Sequence, residues 1–236
     1  MFKIKMAGAI PEIDNRCDHV RQYCEGWMTD ASPCFRVKVT QSELDEYMKN
    51  CHIPDMTEDV AERVLIYRKI AARLATGGRF LLHSALIDYE NNGIAFVAKR
   101  GVGKTTHALL WKEAFPEKVK FVNGDKPIVR KKDGNYVAYS TPWKGKEGFG
   151  EKKAASLKAV VFLERGDEPK VIRLDPKDAV SMITTQTIYP DDPAYYDKFA
   201  QELADFVREV PMYLASVNMR PESAIAVRDF VFKNMK

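Results

Sequence analysis

No run of eighteen apolar residues occurs anywhere in this chain, which argues against a membrane-spanning helix. The stretch from Met1 to Asp14 has no apolar core long enough for a secretory signal before Pro11 and the acids that follow, so a cytoplasmic location is expected. An excess of one charge is also missing. Lys plus Arg number 37 against 33 acidic residues, and a formal charge of +4 is too mild to imply a nucleic-acid partner. Cysteine is scarce: Cys17, Cys24, Cys34 and Cys51 all lie in the first quarter, with neither a CxxC pair nor a familiar zinc spacing. Reduced structural thiols are the expectation. Zinc held by Cys17, His19, Cys51 and His52 is the competing account, but ligand pairs so close in sequence fit one tetrahedron poorly. Repeats and low-complexity tracts are absent as well.

What is present suits a globular enzyme. The chain has 236 residues, 45% of them apolar and 30% charged, enough to bury a sizeable core. Its most informative stretch runs from Gly93 to Thr106. An apolar strand, Gly93 to Ala98, feeds Lys99-Arg100-Gly101-Val102-Gly103-Lys104-Thr105-Thr106 at the start of a helix. Gly101 and Gly103 let backbone N–H groups turn inward around a polyphosphate. Lys104 supplies a point charge for the β- and γ-phosphates, and the Thr105 hydroxyl can ligate Mg²⁺. The helix N-terminus adds roughly half a positive charge. Ala108, Trp111 and Phe115 then recur at helical spacing. Ala98 stands where the full GxxxxGK[ST] pattern has glycine, a small departure where φ stays negative. Gly101, Val102, Gly103, Lys104, Thr105 and Thr106 are thus the expected nucleotide-binding residues, with ATP and Mg²⁺ as the ligands.

Around this loop the chain divides into residues 1–78, read as a small α+β extension, and residues 79–236, read as the nucleotide core. In the extension, Phe2 to Ala7 and Phe35 to Thr40 read as strands. Ser42, with Asp45 three residues on, begins a short helix ending near Asn50, and Thr57 alone caps a second that Gly77-Gly78 stops. In the core, Phe80 to Tyr89 and Gly93 to Ala98 form a hairpin around Asn91. Facing residues then sum to about 182, which sets His83 opposite Lys99, within two residues, at the mouth of the loop. A core histidine is the competing account, and the hairpin geometry favours a functional one.

The strand Val119 to Asn123 should run parallel to that at Gly93, so both end on one edge of the sheet. Just beyond stands Asp125, placed to share Mg²⁺ with Thr105 or to take a proton from an attacking hydroxyl. A second hairpin turns at Asp133-Gly134. It leads to Thr141-Pro142-Trp143-Lys144-Gly145-Lys146-Glu147-Gly148-Phe149-Gly150, whose lysines, Lys146 among them, could clamp a transferring phosphoryl group; a solvated basic loop is the even alternative. Strands at 157–163, 170–174 and 212–217 and helices at 176–184, 194–207 and 221–234 complete the reading.

The order His83-Ser84, glycine loop, Asn123-Gly124-Asp125 about twenty residues after Lys104, then Thr-Pro-Trp-x-Gly-Lys, resembles the HPr kinase/phosphorylase and phosphoenolpyruvate carboxykinase superfamily. It is most similar to the short bacterial HPr kinase-like members. The resemblance implies an α/β fold, a mixed sheet around the glycine loop with flanking helices. It also implies that His83 lies near metal and phosphates and that Asp125 is the second acid of a pair and a metal ligand. The first acid of that pair, the general base in HPr kinase, is Gly124 here. Three functions are compatible. The first is an ATP-dependent kinase in which His83, Asp125 and Lys146 serve catalysis and the acceptor is an unidentified protein, peptide or small-molecule hydroxyl. The second is a nucleotide-binding sensor or docking protein without transfer, which Gly124 favours. The third, a small carboxykinase-like enzyme, is disfavoured by length. Relatives are often multimeric, which makes a homo-oligomer an expectation.

Overall fold

The computed structural model describes residues 1–235. The elements are β1 (Phe2–Lys3), β2 (Pro11–Asp14), α1 (Asp18–Tyr23), β3 (Phe35–Lys38), α2 (Gln41–Asn50), α3 (Glu58–Ala75), β4 (Arg79–Leu81), β5 (Ala85–Tyr89), β6 (Asn92–Val97), α4 (Lys104–Ala114) and β7 (Val119–Asn123). They continue with β8 (Ile128–Lys132), β9 (Asn135–Tyr139), β10 (Ala154–Arg165), β11 (Lys170–Arg173), α5 (Pro176–Thr184), α6 (Tyr196–Glu209), β12 (Met212–Val217) and α7 (Pro221–Asn234).

Nine strands form a mixed sheet organised by β10. Its first residues, Ala154 to Ser156, pair antiparallel with β9, which continues through β8 to β4. Its later residues run parallel to β6 on one side and β12 on the other. Beyond β6 lies β5 and then β7, each neighbour antiparallel. Strands β6 and β7 therefore run the same way, as their sequence suggests, with β5 between them. Because β10 and β12 also run with β6, four strands end on one edge of the sheet.

The two faces follow from alternation along each strand. On β6, Ala95 and Val97 join one core with Phe80, Val160, Phe199, Leu203 and Phe206, beneath α5 and α6. Ile94 and Phe96 turn the other way, into a core with Trp111, Val161, Tyr213, Val227 and Val231, beneath α4 and α7. Both faces are covered, which is why these strands read as continuous apolar runs.

The N-terminal elements build a separate three-stranded sheet in the order β1-β2-β3, with β2 parallel to β3. Its core, from Ile4, Ile13, Val37, Ile66 and Ile70, also takes in Leu81, Ile128 and Trp143 from the later part of the chain. The buried Glu62 on α3 accepts hydrogen bonds from the backbone N–H of Arg16, at 2.6 Å, and of Cys17, at 3.1 Å. A carboxylate there satisfies amides that the start of α1 leaves open. Burial and Glu62 push the Cys17 thiol up to about 11, and burial pushes Cys24 up to about 12. All four cysteines are free of disulfides, and no group of three or more His, Cys, Asp or Glu side chains among the described residues is arranged as a cation site.

Several sequence expectations need correction. The strand expected over Phe80 to Tyr89 is broken at residues 82–84, because β4 pairs with β8 while β5 turns away to pair with β6 and β7. The strand expected over Phe2 to Ala7 shortens to Phe2–Lys3, while β2 and α1 went unforeseen. Helix α2 is capped by Thr40, not Ser42: Thr40 and Glu43 exchange hydrogen bonds as a capping box, whose glutamate reaches back where Asp45 could not. Thr57 precedes α3 but gives its hydroxyl to Asp59 instead of capping the backbone.

Candidate active site

The hairpin that carries the site turns at Glu90 and Asn91, with φ of 49° and 67°. Two successive positive values make the two-residue turn whose twist matches that of the flanking strands. The register pairs Ala85 with Phe96 and Tyr89 with Asn92, one residue from the sequence expectation. At the end of β6 the chain passes through the glycine loop, where Gly101 and Gly103 hold φ of +83° and +115°. Gly103 is also the N-cap of α4, so the amides after it lie at the positive end of a helix of 11 residues. The Arg165 guanidinium at the end of β10 donates to the Gly101 carbonyl at 2.6 Å and fastens the loop from outside. Lys104, Thr105 and Thr106 are half-buried along this first turn.

Asp125 stands on the turn that follows β7. The wholly buried Asn123 side chain holds this turn: its Oδ1 accepts from the backbone N–H of Asp125 at 2.9 Å and of Lys126 at 2.8 Å. Its Nδ2 donates to the Thr141 carbonyl at 3.1 Å, and the Thr141 hydroxyl donates to the Lys126 carbonyl at 2.7 Å. The break between β4 and β5 is used here as well, because the Ser84 N–H donates to the Asp125 carbonyl at 3.1 Å.

These constraints bring His83 and Asp125 together. His83 Nε2 lies 3.1 Å from Asp125 Oδ1, and Lys126 Nζ lies 3.1 Å from Asp125 Oδ2. Burial alone would raise the Asp125 carboxyl, yet the His83 hydrogen bond and the Lys126 charge prevail and hold it below the usual range. The bond to Asp125 favours a charged His83, but burial together with Lys126 and Lys104 outweighs it and depresses the imidazole. Lys104 and Lys126 are both lowered, chiefly by burial, and Asp125 pulls against that shift in each. One carboxylate is thus ringed by two lysines and a histidine, a surplus of positive charge suited to an anion.

The loop after β9 closes over this turn. Gly124 N–H donates to the Phe149 carbonyl at 2.9 Å, and Phe149 stacks on Phe121 with ring centres 4.9 Å apart. A Cβ on Gly124 would collide with the Lys144 carbonyl oxygen and come within 3.3 Å of the Phe149 oxygen. Glycine is required here by close approach of a second segment. Lys144 turns away to lie over the Trp27 ring at 4.9 Å, and Lys146 is exposed on the loop.

Residues outside the sequence reading complete the surroundings. Lys126 is the foremost, with a side chain 12% exposed and its ammonium 5.9 Å from the Tyr67 ring centre. Tyr67 in turn meets Trp143 at 5.9 Å. On the other flank the exposed Met219 places its sulfur beside Gly103. The adjacency of Lys126 to Asp125 was the one sequence signal for the first of these. The aromatic and methionine neighbours come from distant segments and left none.

Behind the loop, His107 is 2% exposed. Trp111 Nε1–H donates to its Nε2 at 3.1 Å, so the neutral ring carries its proton on Nδ1, which finds no partner among the described residues. Burial pushes this imidazole down to about 4. Between its ordinary value and that one, the unfolded chain takes up a proton that the folded chain refuses. The stabilisation is complete above pH 6.5 and is lost as pH falls towards 4, on the order of 3 kcal/mol in all. Urea midpoints measured from pH 7 to pH 4 are expected to fall less steeply in His107→Gln than in the parent chain. Parallel declines would show that other groups set the acid sensitivity.

A divalent ion can be tested against this arrangement. Among the described residues Asp125 is the carboxylate that His83 and Lys126 meet, and each occupies one of its oxygens. Lone pairs remain, so Mg²⁺ fits as part of a nucleotide complex whose phosphates and waters supply most of its ligands.

Comparison with known proteins adds little to this geometry. No known family profile matches the chain, and no curated protein does. Among solved structures, the chain is similar to the Hpr(Ser) kinase/phosphatase from Coxiella burnetii, with 10% identity and a TM-score of 0.41 over 65% of this chain and 97% of that one. The chain is a mixed α/β protein with helices on both faces of its larger sheet, and the chemistry of its site rests on the side chains described above.

Proposed function

We propose that this chain is a kinase-like phosphotransferase that binds Mg²⁺·ATP in the glycine loop and passes the γ-phosphoryl group to a hydroxyl. The observation that carries this reading is the His83 to Asp125 hydrogen bond at the end of β7, beside Lys104 and Lys126. Loop amides and the α4 N-terminus cradle the phosphates, and Lys104 reaches the β- and γ-oxygens. Mg²⁺, held by Thr105 and Asp125, would neutralise charge on those oxygens.

A carboxylate only accepts, so the His83 proton sits on Nε2 and Nδ1 presents a lone pair. The acceptor hydroxyl gives its proton to Nδ1 as its oxygen bonds to the γ-phosphorus and the bond to the β-phosphate oxygen breaks, leaving ADP. Asp125 stabilises the imidazolium that forms. This assigns His83 the task that Gly124 cannot perform. A sensor that binds nucleotide without transfer is the second reading, favoured by the Lys126 ammonium already set on Asp125.

The chain should be incubated with Mg²⁺ and γ-labelled ATP, alone and with serine peptides and polyols, while calorimetry follows binding. Slow hydrolysis or a labelled acceptor supports transfer, binding without turnover selects the sensor, and no binding rejects both. In His83→Gln, turnover is expected to fall about 10²- to 10⁴-fold with little change in ATP affinity. The base is neutral above its pKa, so the parent rate should drop only as pH falls through a value below the ordinary histidine range. An acid limb unchanged in His83→Gln would assign the base elsewhere.

A further inference from the structure

A second feature lies on the N-terminal sheet and owes nothing to the nucleotide reading. Strand β3 ends that sheet, so one edge of it has no strand beside it. A cleft of about 780 Å³ runs between this edge and α3, and a smaller one of about 290 Å³ shares Cys34, Phe35 and Arg73 with it, making one groove. We propose that this groove receives an extended acidic segment of a partner protein, which adds to β3 as a fourth strand.

The edge is open to pairing. Charged side chains on an edge strand commonly serve to block it. Here Arg36 reaches Asp14 at 2.7 Å, and Lys38 lies 3.8 Å from the same carboxylate, so both lean over β2 instead of across the edge. The Lys38 carbonyl faces α3, where the Lys69 ammonium donates to it at 2.7 Å. That ammonium does what the N–H of an added strand would do. By the two-residue period of a strand, the N–H and C=O of Arg36 point the same way, ready for a ladder.

Charge defines the occupant. The larger cleft is lined by Arg36, Lys38, Arg68, Lys69 and Arg73 against two carboxylates, Glu43 and Asp191. Asp14 holds Arg36 and Lys38, and Glu43 holds Lys69 at 2.5 Å. Arg68 and Arg73 stay exposed on α3, and both line the cleft. An extended chain with carboxylates on alternate residues satisfies the strand edge and the two guanidinium groups together. A nucleic acid would meet the charge alone.

Three labelled ten-residue peptides test the proposal by fluorescence anisotropy on the whole protein: Glu alternating with Val, Lys alternating with Val, and the Glu peptide with prolines at its Val positions. The Glu-Val peptide is expected to bind and to slow amide exchange at Arg36 and Lys38. Its affinity is expected to fall about tenfold in Arg68→Glu/Arg73→Glu and to weaken in high salt. The Arg68→Gln/Arg73→Gln pair provides the same reading should charge reversal disturb the fold. Failure of the Glu-Val peptide to bind, equal binding of the Lys or the proline peptide, or tighter Arg68- and Arg73-dependent binding of a single-stranded oligonucleotide would overturn the proposal. None of these outcomes depends on ATP turnover.

Discussion

Lys104→Ala is expected to abolish measurable nucleotide turnover, with a loss of about 10²- to 10³-fold or more, while the thermal midpoint stays near that of the parent. The asymmetry follows from where Lys104 sits. It opens α4 at a position where alanine is at least as good a helix former, so local structure is kept. Its ammonium is partly buried, and that burial, with repulsion from Lys126, outweighs Asp125 and lowers its affinity for a proton. Removing one of two crowded cations costs the apo fold little and relieves some strain between them. The same removal leaves a triphosphate with one fewer positive partner at the oxygens where charge is greatest. Calorimetry and a γ-phosphate release assay on the variant check both halves. Retained turnover would mean that the glycine loop is not the nucleotide cradle.

The second large effect runs against intuition. Gly124→Asp would introduce the paired acid found in the resembled superfamily, yet the change is expected to lower stability by about 1–3 kcal/mol and to reduce turnover. A side chain there must displace the Lys144 carbonyl, and with it the segment bonded through the Phe149 oxygen. Phe149 would then slide off Phe121, and Gly145 on the same segment would move too. For a chain of this size the thermal midpoint should drop by roughly 2–12 °C. Gly124→Ala separates the causes, because it carries the steric cost without the carboxylate. A Gly124→Asp variant as stable as the parent, with faster turnover, would show that this glycine is a lost catalytic position and would remove the packing explanation.

Much of this was legible from sequence because it is local. The hairpin around Asn91, the glycine loop opening a helix and the helix beginning at Pro221 each depend on neighbours a few positions apart. The meeting of His83 with Asp125 was half legible: strand direction put the aspartate on the right edge, but the expected pairing of His83 with Lys99 does not form, because β5 begins at Ala85 and the His83 N–H bonds the Gln186 carbonyl instead. Contacts made by distant segments were not legible. The break at residues 82–84 exists because two different partners compete for one apolar run, which composition alone cannot show. The packing that makes Gly124 obligatory belongs to a carbonyl twenty residues away. The burial of Lys126 beneath Tyr67 was not legible, since it comes from α3.

Trp143 gives the molecule an unusual division of labour. The indole sits in the N-terminal hydrophobic cluster, yet its backbone carbonyl receives the Lys126 amide at 3.1 Å, one residue from Asp125. The first third of the chain therefore braces the turn that carries Asp125 and Lys126. Cutting at residue 78 would strip the indole of the side chains that pack on it and leave the Asp125 turn without that brace.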